Sequence, residues 1–185
     1  MPSEVPTILP DVLAPGLKVV FVGTAAGKES ARVGGYYAGR GNRFWQTLHD
    51  IGLTPHVINP QHFMMALEYG IGLTDLAKHT AGADSSLRVQ DFDTHALRWK
   101  LKRAAPWAVA FNSKRAAWEF YDSRKIEIGR QVTPLGTSAV FVLPSTSGAA
   151  RSSWDIGPWQ QLADWIKARE ARLNAENPAP PENAE

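Results

Sequence analysis

The side chains able to do chemistry in this chain cluster at the ends of four apolar runs. Asp75 closes Ile71-Gly72-Leu73-Thr74, and Asn112 follows Ala108-Val109-Ala110-Phe111. The small residues Gly23-Thr24-Ala25-Ala26-Gly27 follow Val19-Val20-Phe21-Val22, and Ser145-Thr146-Ser147-Gly148 follows Val140-Phe141-Val142-Leu143-Pro144. Such runs read as strands buried on both faces of a parallel sheet, whose carboxyl-end loops converge on one edge. The loops 23–30, 74–78, 112–114 and 145–151 then bring together one carboxylate, one amide, several hydroxyls and an aromatic platform at Tyr36 or Tyr37. They also bring the cations Lys28, Arg32, Arg43, Lys114 and Arg151. A flat heterocycle flanked by phosphates suits this set: a ring for its face, an amide for its edge, cations for the phosphates.

The loop after the first run narrows the ligand. A phosphate-cradling loop needs four residues between its glycines and a hydroxyl directly after the lysine. Here three residues separate Gly23 from Gly27, and Glu29 stands where the hydroxyl belongs. The dinucleotide fingerprint of three spaced glycines is absent. What remains is a loop of small residues that lets backbone groups approach a planar base closely.

Placing these loops requires alternating strands and helices. The periodicities predict strands at 17–23, 71–76, 107–111 and 137–143. Helices are predicted at 42–51, 61–67, 91–104, 113–121 and 155–173. Asn42 reads as an N-cap and Gly52 as a helix stop, with Phe44, Trp45, Leu48 and Ile51 forming the apolar stripe. Residues 28–41 read as a glycine- and alanine-rich loop, and residues 1–16 as a proline-rich packed arm. The pattern predicts a three-layer α/β/α sandwich with a mainly parallel central sheet. It predicts one domain over 1–176 and a disordered, proline- and glutamate-rich tail at 177–185.

Composition sets bounds on the rest. With 185 residues, 44% of them hydrophobic, the chain is long enough to bury a sizeable core. It has no cysteine, which excludes disulfides and thiolate metal sites. The five histidines show no ligand spacing, so no metal or cofactor is expected. No apolar run approaches membrane length and no signal pattern opens the chain, so a cytoplasmic monomer is expected, nucleoid-associated if bacterial. Formal net charge is only +2, but Glu176, Glu182 and Glu185 lie in the stretch from Asn174 onward, leaving the body more cationic.

In order and spacing, these pieces resemble the mismatch-specific uracil and thymine DNA glycosylases of the uracil-DNA glycosylase superfamily. The resemblance rests on Val22-Gly23-Thr24-Ala25-Ala26-Gly27, on Tyr36-Tyr37-Ala38-Gly39-Arg40-Gly41-Asn42-Arg43-Phe44-Trp45 and on Tyr69-Gly70-Ile71-Gly72-Leu73-Thr74-Asp75. Ala110-Phe111-Asn112-Ser113-Lys114 and Leu143-Pro144-Ser145-Thr146-Ser147-Gly148-Ala149-Ala150-Arg151 complete it, over residues 17–167. It implies excision of uracil, and of other deaminated bases, from DNA by base flipping, leaving an abasic site. It implies that Tyr37 stacks on the flipped base while backbone groups near Gly23, Thr24, Ala25 and Tyr37 meet its carbonyl edge. The 145–151 loop would grip phosphates through Ser145, Ser147, Gly148 and Arg151, with Lys114 alongside. Asn112 would donate to and accept from the uracil edge, a pattern cytosine reverses.

Two positions depart from the family. Relatives commonly carry Asn where this chain has Ala25, and that amide positions the attacking water. Alanine cannot do so, which moves the catalytic role to Asp75, at a position where relatives carry Asn, Lys or Asp. Ala149 stands where a bulkier residue usually fills the gap left in the duplex, favouring single-stranded or loosely paired DNA. An alternative reading is a damaged-DNA-binding module that kept the fold and lost the chemistry at Ala25. A nucleotide enzyme built on residues 23–30 is a third.

Overall fold

In the computed structural model, which describes residues 6–177, the first apolar run becomes β1 (Val19–Ala25). Successive strand side chains point to opposite faces, so Val19 and Phe21 enter one core cluster while Val20 and Val22 enter the other. β1 pairs in parallel on both sides, with β2 (Ile71–Ala77) and β3 (Ala108–Phe111). A short β4 (Gly129–Arg130) runs antiparallel to β5 (Ala139–Val142), which itself lies parallel to β3. The order is β2-β1-β3-β5-β4.

Helices cover both faces. α1 (Lys28–Val33) follows β1 directly, and α2 (Phe44–Asp50) packs with α5 (Gly157–Glu176) on one side. There Phe44, Leu48, Trp159 and Ile166 pack with Phe21 and Phe141, and Trp159 stacks on Phe21 at 5.4 Å between ring centroids. On the other side, α3 (Thr94–Ala104) and α4 (Lys114–Tyr121) bury Leu97, Leu101, Ala117 and Phe120 with Val20, Val22 and Val109. This is the three-layer sandwich the alternation predicts. Among the described residues no helix is long and apolar enough to cross a membrane.

Four local differences from the sequence reading have physical causes. The segment read as one loop at 28–41 begins with α1. Glu29 and Arg32 pair at 2.6 Å across one turn, and Gly34 closes the helix at φ 70°. The helix read from 91 starts at Thr94 because Asp93 caps it, its side chain accepting from Ala96 N at 2.8 Å. The edge strand β4 is too short to leave a periodic signal. The N-terminal arm does more than pack: Val12 bridges Leu73 in both directions, its N–H donating at 2.8 Å and its carbonyl accepting at 2.9 Å, beside β2. At the other end Asn177 closes α5, and the rest of the expected tail, 178–185, lies outside the described residues.

Candidate active site

Parallel register brings the predicted residues together. Gly23 lies opposite Asp75 and Val22 opposite Phe111, so Asn112 emerges one step beyond, its N–H donating to Val22 O at 2.9 Å. Around this carboxyl edge opens a cavity of about 710 Å3. Gly23, Thr24, Ala25, Tyr37, Asp75 and Asn112 line it, as do Ser145, Ser147, Gly148 and Ala149 of the last loop.

Asp75 sits inside β2 rather than on the loop where the sequence reading put it, and every residue of that strand is buried. The side chain is at the sheet edge yet only 4% of the residue is exposed. Burial pushes its carboxyl up to about 7; the Lys78 ammonium pulls it back and the Asp11 carboxylate adds to the rise. A carboxyl titrating there is suited to proton exchange near neutrality. Gly23 explains how it fits: a Cβ at that position would collide with Asp75 Oδ1 and lie 3.3 Å from the Tyr37 hydroxyl. Glycine is needed for space here, not for conformation.

The two tyrosines divide their roles. Tyr36 is 1% exposed, donates to Pro10 O at 3.1 Å and accepts from Lys78 Nζ at 3.0 Å, so it belongs to the body. Tyr37 takes a left-handed backbone at φ 57°, unusual for a bulky residue and typical of constrained sites. Its ring stacks on Phe44 at 3.9 Å and 24°, which holds it at the cavity wall. Burial and the Asp75 charge raise the phenol well above its ordinary value, so it stays protonated. Its buried hydroxyl has no hydrogen-bond partner among the described residues.

Asn112 has a fixed orientation. Its Oδ1 accepts from Thr146 N at 3.1 Å and its Nδ2 donates to Thr146 Oγ1 at 2.9 Å. Because a backbone N–H only donates, the atom facing it must be the oxygen. One N–H and one lone pair of the amide lie outside that pair, the N–H next to the Tyr37 hydroxyl. The same pair of bonds ties the 145–151 loop to the end of β3. That loop is further held by Arg43 N donating to Thr146 O at 3.0 Å and Trp159 Nε1 donating to Pro144 O at 3.0 Å. Ser147 and Ala149 remain exposed on it.

The cations are sorted by their partners. Lys28 lines the cavity, and the exposed Arg151 lies beside Gly41. Arg32 is engaged by Glu29, and Arg43 lies over the Trp154 ring at 5.5 Å. Lys114, predicted to contact DNA, pairs with Glu127 and does not line the cavity. Sequence reasoning missed Asp84, whose Oδ1 accepts from Thr24 Oγ1 at the cavity wall, and the Asp11–Lys78 pair behind Asp75. Nothing in the sequence marks Asp84; Lys78 could have been suspected from its place three residues beyond Asp75.

A mostly parallel sheet between two helical layers, with a cleft of carboxylate, amide and aromatic ring at its carboxyl edge, defines a ligand-binding α/β protein of the doubly wound class. The chain belongs to the uracil DNA glycosylase superfamily, whose family model matches residues 10–169. It is also similar in fold to the solution NMR structure of a protein from Methanosarcina acetivorans, provisionally named a uracil DNA glycosylase. The TM-score is 0.61 at 22% identity, covering 86% of this chain and 96% of that one.

Proposed function

We propose that this protein is a monofunctional uracil-DNA glycosylase of the mismatch-specific branch, acting on DNA without metal or cofactor. The observation that carries the reading is the buried Asp75 carboxyl beside Gly23, in one cavity with Tyr37 and Asn112. The flipped uracil stacks on Tyr37 and meets the remaining N–H and lone pair of Asn112, while backbone at Gly23, Thr24 and Ala25 approaches its carbonyl edge. As the C1′–N1 bond breaks, ionised Asp75 stabilises the positive charge developing on the sugar. A water oxygen then bonds to C1′, its proton passes to Asp75, and uracil leaves as the anion that solvent protonates. The exposed Ser147 and Ala149, with Ser145, Gly148 and Arg151, face the flanking strand.

Ala25 favours one other reading, a damaged-DNA-binding module without turnover, because it removes the amide that relatives use on water. Both are tested by release of free base from labelled oligonucleotides carrying uracil in single strands, U·A pairs and U·G pairs, with T·G for comparison. The glycosylase reading expects free uracil and an abasic product. Tight binding to uracil or abasic DNA with no base released on any substrate would establish the binding module instead.

A further inference from the structure

Close to Asp75, and outside the cavity lining, lies a charge cluster that the proposed chemistry does not use. Lys78 is 8% exposed, with Nζ 2.8 Å from Asp11 Oδ1 and donating to the Tyr36 hydroxyl at 3.0 Å. Asp11 also accepts from Lys100 Nζ at 2.6 Å and from Thr74 Oγ1 at 2.7 Å, so it touches the residue preceding Asp75. Backbone bonds fix the arm on β2: Ile8 N donates to Lys78 O at 2.7 Å and Val12 N to Leu73 O at 2.8 Å. Leu9 of the same arm reaches the cavity wall.

The cluster is poorly suited to holding the arm down. Burying a lysine and a carboxylate carries a desolvation cost that an apolar pair would avoid. Its placement brings charge to Asp75: Asp11 is hydrogen-bonded to Thr74, the residue before it, and Lys78 follows three residues after. The charged groups facing Asp75 are Lys78, one residue past the end of its strand, and Asp11 from the arm; the phenols of Tyr36 and Tyr37 face it uncharged. Lys100, from α3, takes the far oxygen of Asp11. Burial pushes the Asp11 carboxyl up, but hydrogen bonds from Lys100, Lys78 and Thr74 together with the Lys78 charge hold it below its ordinary value, so it stays ionised and keeps both lysines in place.

We propose that Asp11 and Lys78 are positioning residues that set the ionisation of Asp75, making the N-terminal arm a working part of the active site. This rests on the reading of Asp75 as the catalytic carboxylate. Lys78 favours the ionised form and Asp11 the protonated form, so removing each acts with opposite sign.

The test follows the Asp75 side-chain carboxyl carbon by 13C NMR against pH, with its resonance assigned through Asp75→Asn. Wild type is compared with Lys78→Met and Asp11→Asn, and each protein's single-turnover uracil release is followed over the same pH range. Lys78→Met is expected to raise the Asp75 midpoint by about one pH unit and Asp11→Asn to lower it by a similar amount, with the acid limb of the rate moving alongside. A merely structural role would slow or destabilise both variants without moving the midpoint in opposite directions. Midpoints within about 0.2 of wild type in both variants, or displaced in the same direction, would overturn the proposal. If Lys78→Met does not fold, Asp11→Asn decides by the sign of its own shift. The NMR readout needs no substrate: midpoints that move in proteins releasing no uracil would sustain the coupling and remove the glycosylase reading.

Discussion

At the residue scale, the burial that raises the Asp75 carboxyl toward neutrality also weakens the fold. Its carboxyl is raised from 3.8 to about 7 on folding. Below about pH 4 it is neutral in both folded and unfolded chains and has no effect on stability. As pH rises from about 4 to about 7 the unfolded chain releases this proton while the folded one retains it, so stability falls. Above about 7 the full penalty applies, at most about 4 kcal/mol from 1.36 kcal/mol per pH unit. Asp75→Asn is therefore expected to be more stable than wild type at pH 8 and nearly equal to it at pH 4, measured by urea unfolding. A variant no more stable at pH 8 would mean that the carboxylate is not held at such a cost. Gly23 is the complementary case. Gly23→Ala places a methyl against Asp75 Oδ1, so the carboxylate must turn away from its present position to make room. Overpacking of this kind costs about 1–3 kcal/mol. Uracil release should fall by more than about tenfold as Asp75 is displaced. Full activity in Gly23→Ala would show that the carboxylate works from another position.

At the element scale, the site is made of strand ends locked to one another. The 145–151 loop is pinned by Asn112 at β3, by Arg43 before α2 and by Trp159 of α5, leaving only its tip exposed. That tip carries Ala149, too small to fill the place of a flipped nucleotide. Ala149→Leu adds a wedge whose burial in the base stack is worth about 1–2 kcal/mol, so the duplex-to-single-strand ratio of single-turnover rates should rise several-fold. An unchanged ratio would remove Ala149 from the strand-preference account. The strands and their carboxyl-end residues were legible in the sequence because unbroken apolar runs and small-residue breaks are local signals. Gly23, Asp75 and Asn112 could thus be placed at one edge before any coordinates. α1 was illegible because a six-residue helix has too few positions for a stripe and announces itself only through Gly34 and one Glu29–Arg32 pair. The Asp11–Lys78 pair and the turn of Lys114 toward Glu127 were illegible for another reason: a charge does not say which distant opposite charge it will meet.

At the scale of the whole molecule, four strand ends and the N-terminal arm converge on one cleft while the remaining cations are largely spoken for by Glu29, Glu127, Asp11 and aromatic rings. Formal net charge is only +2, so whole-molecule attraction to DNA is weak and recognition depends on the cleft. In the proposed mechanism the chemistry depends in turn on one carboxylate, Asp75, that must be ionised to act. The most direct measurement is single-turnover release of uracil from a labelled single-stranded oligonucleotide by wild type and Asp75→Asn between pH 5 and 9. Wild-type activity is predicted to climb through a midpoint near pH 7 and level off above it, with Asp75→Asn lower by about 10²–10⁴-fold on that plateau and the gap narrowing toward pH 5 as wild type loses its ionised carboxylate. Equal rates for the two proteins, or a wild-type rate that ignores pH across this range, would contradict the assignment of the chemistry to Asp75.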